Sequence, residues 1–124
     1  MFPVHAQSNE LPALIDAPGS RVLSKADFGG MVAAYFEVAK GTDLRPLLEG
    51  LPGDACSCPH WGYIISGAVH VDYGNGGPAV VEAGEVFYLP PGHTAWFEED
   101  SKLVEFSPED EHRKVIAHVL SKIG

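Results

Sequence analysis

The sequence predicts a single all-β domain, a sandwich or barrel of short strands, that ends in one C-terminal helix. Short apolar segments follow one another between residues 30 and 107, and glycine, proline and asparagine turns separate them about every 8 to 12 residues. The last part of the chain instead places its apolar residues at helical spacing. A chain of 124 residues is long enough for one such domain.

Residues 1–29 are expected to form an N-terminal arm or loop, with room for a short strand. Pro3, Pro12, Pro18 and Gly19 interrupt this stretch, which has little periodicity of its own. Neither an internal repeat nor a linker divides the rest of the chain. We therefore expect one barrel over residues 30–107 after the arm.

The clearest strand lies at residues 68–73, where apolar Val69 and Val71 alternate with polar His70 and Asp72. A period of two predicts a strand with one buried face. The pair Asn75-Gly76 follows directly and is a strong signal for a hairpin turn. The segments AVVEAGEVFYLPPG, TAWFEE and KLVEFS predict further short strands.

Residues 108–124 predict a helix that packs on the barrel. Ser107 is suited to cap it, and Pro108 is suited to its first position. Its apolar residues fall on one stripe with a period of 3.6: Val115, Ile116, Val119, Leu120 and Ile123.

The charge balance indicates which partners are unsuitable. The net charge is 8 − 17 = −9, which disfavours nucleic acid and anionic membrane surfaces. No apolar run approaches the roughly 18 residues of a membrane span, and the first twenty residues lack the pattern of a signal peptide. Cys56 and Cys58 are too close for an unstrained disulfide. We therefore expect reduced thiols and a cytoplasmic protein.

Two segments of the chain resemble the sequence motifs of the cupin family. AGEVFYLPPGHTAWF contains Gly84, Pro90 and Gly92 and resembles the second motif, G-x5-P-x-G-x2-H-x3-N. YIISG ends at Gly67 and resembles the tail of the first motif, G-x5-H-x-H-x3,4-E-x6-G. The resemblance covers residues 30–107 and implies a small jelly-roll barrel, or double-stranded β-helix, that holds a divalent metal inside. It also implies a homodimer paired through N-terminal strands.

The ligand positions of the two cupin motifs do not match this chain. Asp54 and Cys56 stand where the first motif has its histidines, and His60 stands where it has its glutamate. Ala95 stands at the histidine of the second motif, and His93 lies two residues earlier. A metal site here would therefore need a different set of donors.

The stretch CSCPH offers three soft donors with the same parity. In an extended segment, Cys56, Cys58 and His60 point to one face, with about 7 Å between neighbours. Two such donors can reach one ion, but a straight row of three, about 13 Å long, is too long. Either Pro59 bends the chain and brings His60 round, or one cysteine is left out.

In a cupin barrel, the strand after the LPPG turn lies opposite the first-motif strand, so the resemblance brings His93 to the same cavity. Cys56, Cys58, His60 and His93 then form a candidate Cys2His2 site. Such a set favours zinc, with iron(II) or copper(I) as alternatives. The other interpretation is that the cysteines only pack the barrel core and that the histidines are core or rim residues.

Aromatic residues and one carboxyl group are candidates for a small-molecule pocket beside the metal. Trp61, Tyr63, Tyr88 and Trp96 flank the same region of the sequence, although ordinary core and rim positions explain them equally well. Glu105 occupies an apolar strand. If it points inward, it can serve as a general base or a further ligand, and if it points outward, it is a solvated strand residue.

Two functions fit these observations. One is a metal-dependent enzyme on a small molecule, such as a dioxygenase, isomerase or lyase of the cupin kind. The other is a non-catalytic module that senses or binds a metal or ligand, or uses zinc structurally. Three protein donors and an open position would favour the enzyme, and a closed four-donor site would favour the module.

Overall fold

The computed structural model describes residues 5–74 and 77–123 and contains two antiparallel sheets. The larger sheet has the strand order β1-β2-β3-β9-β4-β7, and the smaller has the order β6-β5-β8. The strands are β1 Ala13–Ala17, β2 Ser20–Lys25, β3 Met31–Val38, β4 His60–Ser66, β5 Ala68–Asp72, β6 Pro78–Glu82, β7 Val86–Leu89, β8 Thr94–Trp96 and β9 Ser101–Pro108. The helices are α1 Arg45–Leu48 and α2 Glu109–Ile123, with single 3₁₀ turns at Ser8–Glu10 and Pro52–Asp54.

The main core consists of apolar side chains from both sheets. Ile64, Phe87 and Leu103 come from the larger sheet, and Val69 and Val71 come from the smaller one. The alternation predicted over residues 68–73 is present, because Val69 and Val71 are buried while His70 and Asp72 are partly exposed. The all-β fold with a C-terminal helix is thus confirmed.

The N-terminal region is more ordered than an arm. β1 and β2 pair with each other from Ala13 to Lys25 and extend the larger sheet beside β3. Pro18 and Gly19, which suggested a loop, form the tight turn between the two strands, and Gly19 has a φ of 79°. The strands are held in place because Val22 and Leu23 are buried.

The hairpin predicted at Asn75-Gly76 lies outside the described residues. The strands on either side of it pair in antiparallel register, from Ala68 opposite Glu82 to Asp72 opposite Pro78.

The C-terminal helix is present, but its start and its packing differ in detail from the prediction. Ser107 and Pro108 belong to β9, and the helix begins at Glu109. Val115 is buried against the cysteine segment, whereas Leu120 and Ile123 are exposed. The ring of His118 donates a hydrogen bond from Nε2 to the carbonyl oxygen of Glu49, 2.7 Å away, beside the end of α1. The first half of the apolar stripe therefore packs, and the second half faces solvent.

No helix among residues 5–74 and 77–123 combines the length and the apolar content that crossing a membrane would require.

Gly62 in β4 permits a close approach between strands. A Cβ atom at this position would fall on the carbonyl oxygen of Val104 and the ring of Phe87. We therefore expect Gly62→Ala to lower the free energy of unfolding by about 2 kcal/mol, since overpacking a core typically costs 1–3 kcal/mol. Urea denaturation would measure the change. Gly29→Ala is the control. A Cβ atom at Gly29 would meet no neighbour, and only its φ of 68° disfavours alanine, so this variant should lower the free energy of unfolding by only about 1 kcal/mol. Equal decreases in the two variants would contradict the prediction.

Candidate metal centre

One isolated β-bridge brings Cys56 next to His93. The amide of Cys56 donates to the carbonyl of His93, and the amide of Gly92 donates to the carbonyl of Cys56, both at 2.8 Å. This isolated antiparallel bridge joins the segment before β4 to the turn before β8. Since the chain then enters β4 at His60, three candidate donors are placed around one point.

The side chains of Cys56, His60 and His93 form a compact, buried cluster. One donor atom from each residue lies within 4.8 Å of the other two. The Sγ atom of Cys56 is 3.4 Å from Nε2 of His60, and the two imidazole rings meet edge to face at 5.1 Å between centroids. The three residues are only 3–8% exposed. This arrangement is a possible metal site.

The other ring nitrogen of each histidine is held by a second group. Nδ1 of His93 donates to the carbonyl oxygen of Pro90 at 2.7 Å, which leaves Nε2 with a free lone pair. Nδ1 of His60 is 2.6 Å from the hydroxyl oxygen of Ser107, so its Nε2 faces the thiol. Partners of this kind orient the imidazole ligands of metal sites and fix their tautomers.

Cys58 does not join the other three predicted ligands. Its Sγ atom lies 3.4 Å from the carbonyl oxygen of Pro59, and its side chain is fully buried in an apolar cluster with Leu48 and Val115. Cys58 does not point to the same side as Cys56 and His60, because residues 57–59 are not part of a strand and alternation does not hold there. The chain bends before His60, and the second cysteine is left out.

Burial controls the protonation of the cluster. It raises the pKa of the Cys56 thiol to about 11 and lowers the pKa of His60 to about 4. Burial also lowers the pKa of His93. At neutral pH the metal-free site therefore has a neutral thiol beside two neutral imidazoles, and metal binding must release the thiol proton.

Glu105 faces the cluster from β9. Of the two orientations that the sequence left open, the structure has the inward one, and the residue is 9% exposed. Its Oε1 atom is 3.6 Å from Nδ1 of His60. Burial raises the pKa of the carboxyl group to about 7, against a smaller lowering effect of His93. The site thus contains an acid that can change protonation near neutral pH.

The predicted aromatic pocket is not assembled around this carboxyl group. Trp61, Tyr63 and Tyr88 are exposed, and they lie on the opposite face of the larger sheet, because their strand positions alternate with the buried ones. The rings of Trp61 and Tyr88 stack at 5.1 Å. Trp96 stacks on His70 at 5.6 Å, with the guanidinium of Arg45 above it.

Two residues near the cluster of candidate metal ligands were not predicted from the sequence. Ser107, interpreted as a helix cap, instead bonds His60 from the inward face of β9. His112 lies in the first turns of α2, and burial together with the nearby His60 lowers its pKa to about 4. Glu105 and Ser107 are two positions apart in one strand, so they share a face, and this spacing could have indicated that Ser107 points inward with Glu105. No sequence pattern indicated His112.

Two surface cavities lie away from the cluster. One, of about 490 Å³, is lined by residues that include Thr42, Arg45 and Trp96. The other, of about 410 Å³, is lined by residues that include Arg21, Glu37 and Lys102. None of the three cluster residues contributes to either cavity.

Comparison with known proteins shows the fold. No protein-family model matches the sequence, and no curated protein is significantly similar to it. An RmlC-like cupin from Shewanella frigidimarina NCIMB 400 has a TM-score of 0.60 at 19% identity and covers 87% of this chain and 93% of its own. KdgF from Halomonas sp. has a TM-score of 0.55 at 22% identity and covers 82% and 92%. Ectoine synthase from P. lautus has a TM-score of 0.57 at 13% identity and covers 77% and 67%. At these identities the similarity concerns the architecture alone, and the chain has the cupin fold that its two motifs predicted.

Proposed function

We propose that the chain binds one divalent metal ion through Cys56, His60 and His93 and acts as a metal-dependent enzyme on a small molecule. One observation carries the proposal: the thiol and two imidazoles converge, and separate partners hold the remaining nitrogen of each ring. A thiolate with two imidazoles suits zinc best; iron(II) is a divalent alternative and copper(I) a monovalent one.

The catalytic part of the proposal is supported by the number of donors and by Glu105. Three protein ligands are typical of catalytic zinc sites, which keep a fourth position for water or substrate. When bound, such an ion acts as a Lewis acid and lowers the pKa of a coordinated water. The Glu105 carboxyl lies beside His60, with Oε1 3.6 Å from Nδ1, and is placed to act as a general base on a group held at the ion. Ectoine synthase, an enzyme by its name, shares the fold.

A non-catalytic binding or sensing module is the second candidate. It is favoured by the burial of the three donors and by the position of both described cavities away from them. A substrate would have to reach the ion through an opening that neither cavity provides.

Cobalt(II) titration of the metal-free protein tests the metal site. We expect thiolate-to-cobalt charge-transfer absorption to grow and saturate at one equivalent per chain, because Cys56 becomes a thiolate ligand. Zinc should remove this absorption by displacing cobalt. If stoichiometric cobalt produced no charge-transfer band, the proposed ligand set would be wrong.

The same cobalt-loaded protein distinguishes the two candidate functions. Azide binds to an open coordination position and changes the ligand-field spectrum, so a saturable change would support the enzyme. An unchanged spectrum at high azide concentration would favour the closed module.

A further inference from the structure

The outer side of the larger sheet carries a continuous group of exposed apolar side chains, here called the outer apolar face. Its members come from β4, β7 and β9 and are 40–80% exposed. They are Trp61, Tyr63, Ile65, Val86, Tyr88 and Phe106.

Strand register makes this face continuous. Trp61 lies opposite Tyr88 on one side and opposite Phe106 on the other, and Tyr63 lies opposite Val86. Directly opposite residues on one face of a sheet have their side chains in contact range, and the Trp61 and Tyr88 rings do stack. These five residues are therefore one patch, and Ile65 is the next exposed position after Tyr63 on the same side of β4.

Two of the strands that form this patch, β4 and β7, carry apolar residues on both sides. Ile64, Phe87 and Leu103, which alternate with the exposed residues, lie in the core. Strands that face solvent on one side usually alternate apolar with polar residues, whereas strands covered on both sides are apolar throughout. β5 in the smaller sheet follows the first pattern, with His70 and Asp72 at its outward positions. The pattern of β4 and β7 indicates that the outer apolar face is covered.

We propose that a second copy of this chain covers the outer apolar face and that the two copies form a symmetric dimer. The exposed fractions of the six side chains correspond to on the order of 500 Å² of surface. With a polar rim, this approaches the ~800 Å² per partner of a standard protein interface. Homodimer interfaces are also the more apolar class of interface.

The charge distribution permits a second copy on this face. A chain with a net charge of −9 repels its own copies over most of its surface, but none of the six residues is charged. In a two-fold dimer the same patch meets itself, so an uncharged face is self-complementary. A charged row across β2, β3 and β9 of the same sheet is mixed in sign, with Arg21 opposite Glu37 and Glu37 opposite Lys102. A membrane-binding face would instead have a rim rich in lysine and arginine.

The dimer differs from the expectation drawn from the cupin resemblance, because it uses β4, β7 and β9 instead of the N-terminal strands. It is also independent of the proposed metal site, and its test involves none of the proposed ligands.

Sedimentation equilibrium of the full chain tests the proposal. We expect twice the chain mass of 13.3 kDa at protein concentrations of about 50 µM. Val86→Lys places an unpaired charge within the contact and should raise the dimer dissociation constant about 100-fold or more. Val86 is 80% exposed in the single chain, so the substitution should leave the monomer folded, as circular dichroism would show.

Val80→Lys is the matched control. Val80 is 48% exposed on β6 of the smaller sheet, and the same substitution there should leave the dimer intact. A monomeric wild type at this concentration would overturn the proposal, as would a dimer that Val86→Lys does not weaken or that Val80→Lys dissociates. A monomer that binds neutral lipid vesicles would also overturn it, because the face would then contact lipid.

Discussion

Replacing Cys56 by alanine is expected to weaken zinc binding about 1,000-fold or more. The substitution removes the thiolate from a three-donor site, and the two remaining imidazoles lack the ligand that a buried cysteine provides. A competition titration of the metal-free protein against a chromogenic chelator would measure the dissociation constant directly.

Cys58→Ala is the matched control for this experiment. Both cysteines are buried in the same apolar cluster, so the two variants lose similar packing. The thiol of Cys58 bonds the carbonyl of Pro59 and lies outside the donor group. Its loss should therefore change zinc affinity by less than about threefold, well below the tenfold change that corresponds to 1.4 kcal/mol. If both variants lost zinc equally, the assignment of Cys56 alone would be incorrect.

Replacing Glu105 by glutamine is expected to stabilise the metal-free protein at alkaline pH. The pKa of this carboxyl group is about 7 in the folded chain, against an ordinary value of 4.5. The folded state therefore keeps a proton that the unfolded state loses, and wild-type stability falls as the pH rises from 4.5 to 7. A shift of this size corresponds to about 3 kcal/mol, and Glu105→Gln removes this loss because its amide does not ionise.

Urea unfolding in the presence of a chelator, at pH 5 and pH 8, would measure the effect. We expect the variant to exceed the wild type by up to about 3 kcal/mol at pH 8 and to differ little at pH 5. Glu99→Gln, at an exposed position, is the control and should change the stability by less than about 0.5 kcal/mol at either pH. A Glu105→Gln variant that is less stable than the wild type at pH 8 would contradict this account.

The fold could be predicted where the sequence shows one strong periodicity. Val69 and Val71 alternate with polar residues, the helical stripe begins at Val115, and Pro90 and Gly92 match a motif. The N-terminal strands were harder to predict, because Pro18 and Gly19 serve both in loops and in the tight turn that they form here. Turn residues mark where a chain reverses without specifying which strands then pair.

The candidate site could be predicted only in part, because its geometry depends on irregular backbone and on strand parity. Residues 57–59 lie outside any strand, so the same-face argument that grouped Cys58 with Cys56 and His60 failed. In β9, both faces carry an apolar residue, since Leu103 is in the core while Phe106 belongs to the outer apolar face. The alternation in β9 therefore did not show whether Glu105 points inward or outward. Ser107 lies on the same face as Glu105, so its role could not be predicted either.

The bridge between Cys56 and His93 determines what metal removal does to the protein. Its two backbone hydrogen bonds join distant parts of the chain, and the carbonyl oxygen of Pro90 orients the His93 ring beside them. Many small metal-binding domains unfold when a chelator strips their ion, because the ion itself ties their loops together. In this chain, backbone hydrogen bonds hold the segments that carry Cys56 and His93 together. The proposed ligands should therefore keep their arrangement without an ion. We therefore expect the metal-free protein to stay folded.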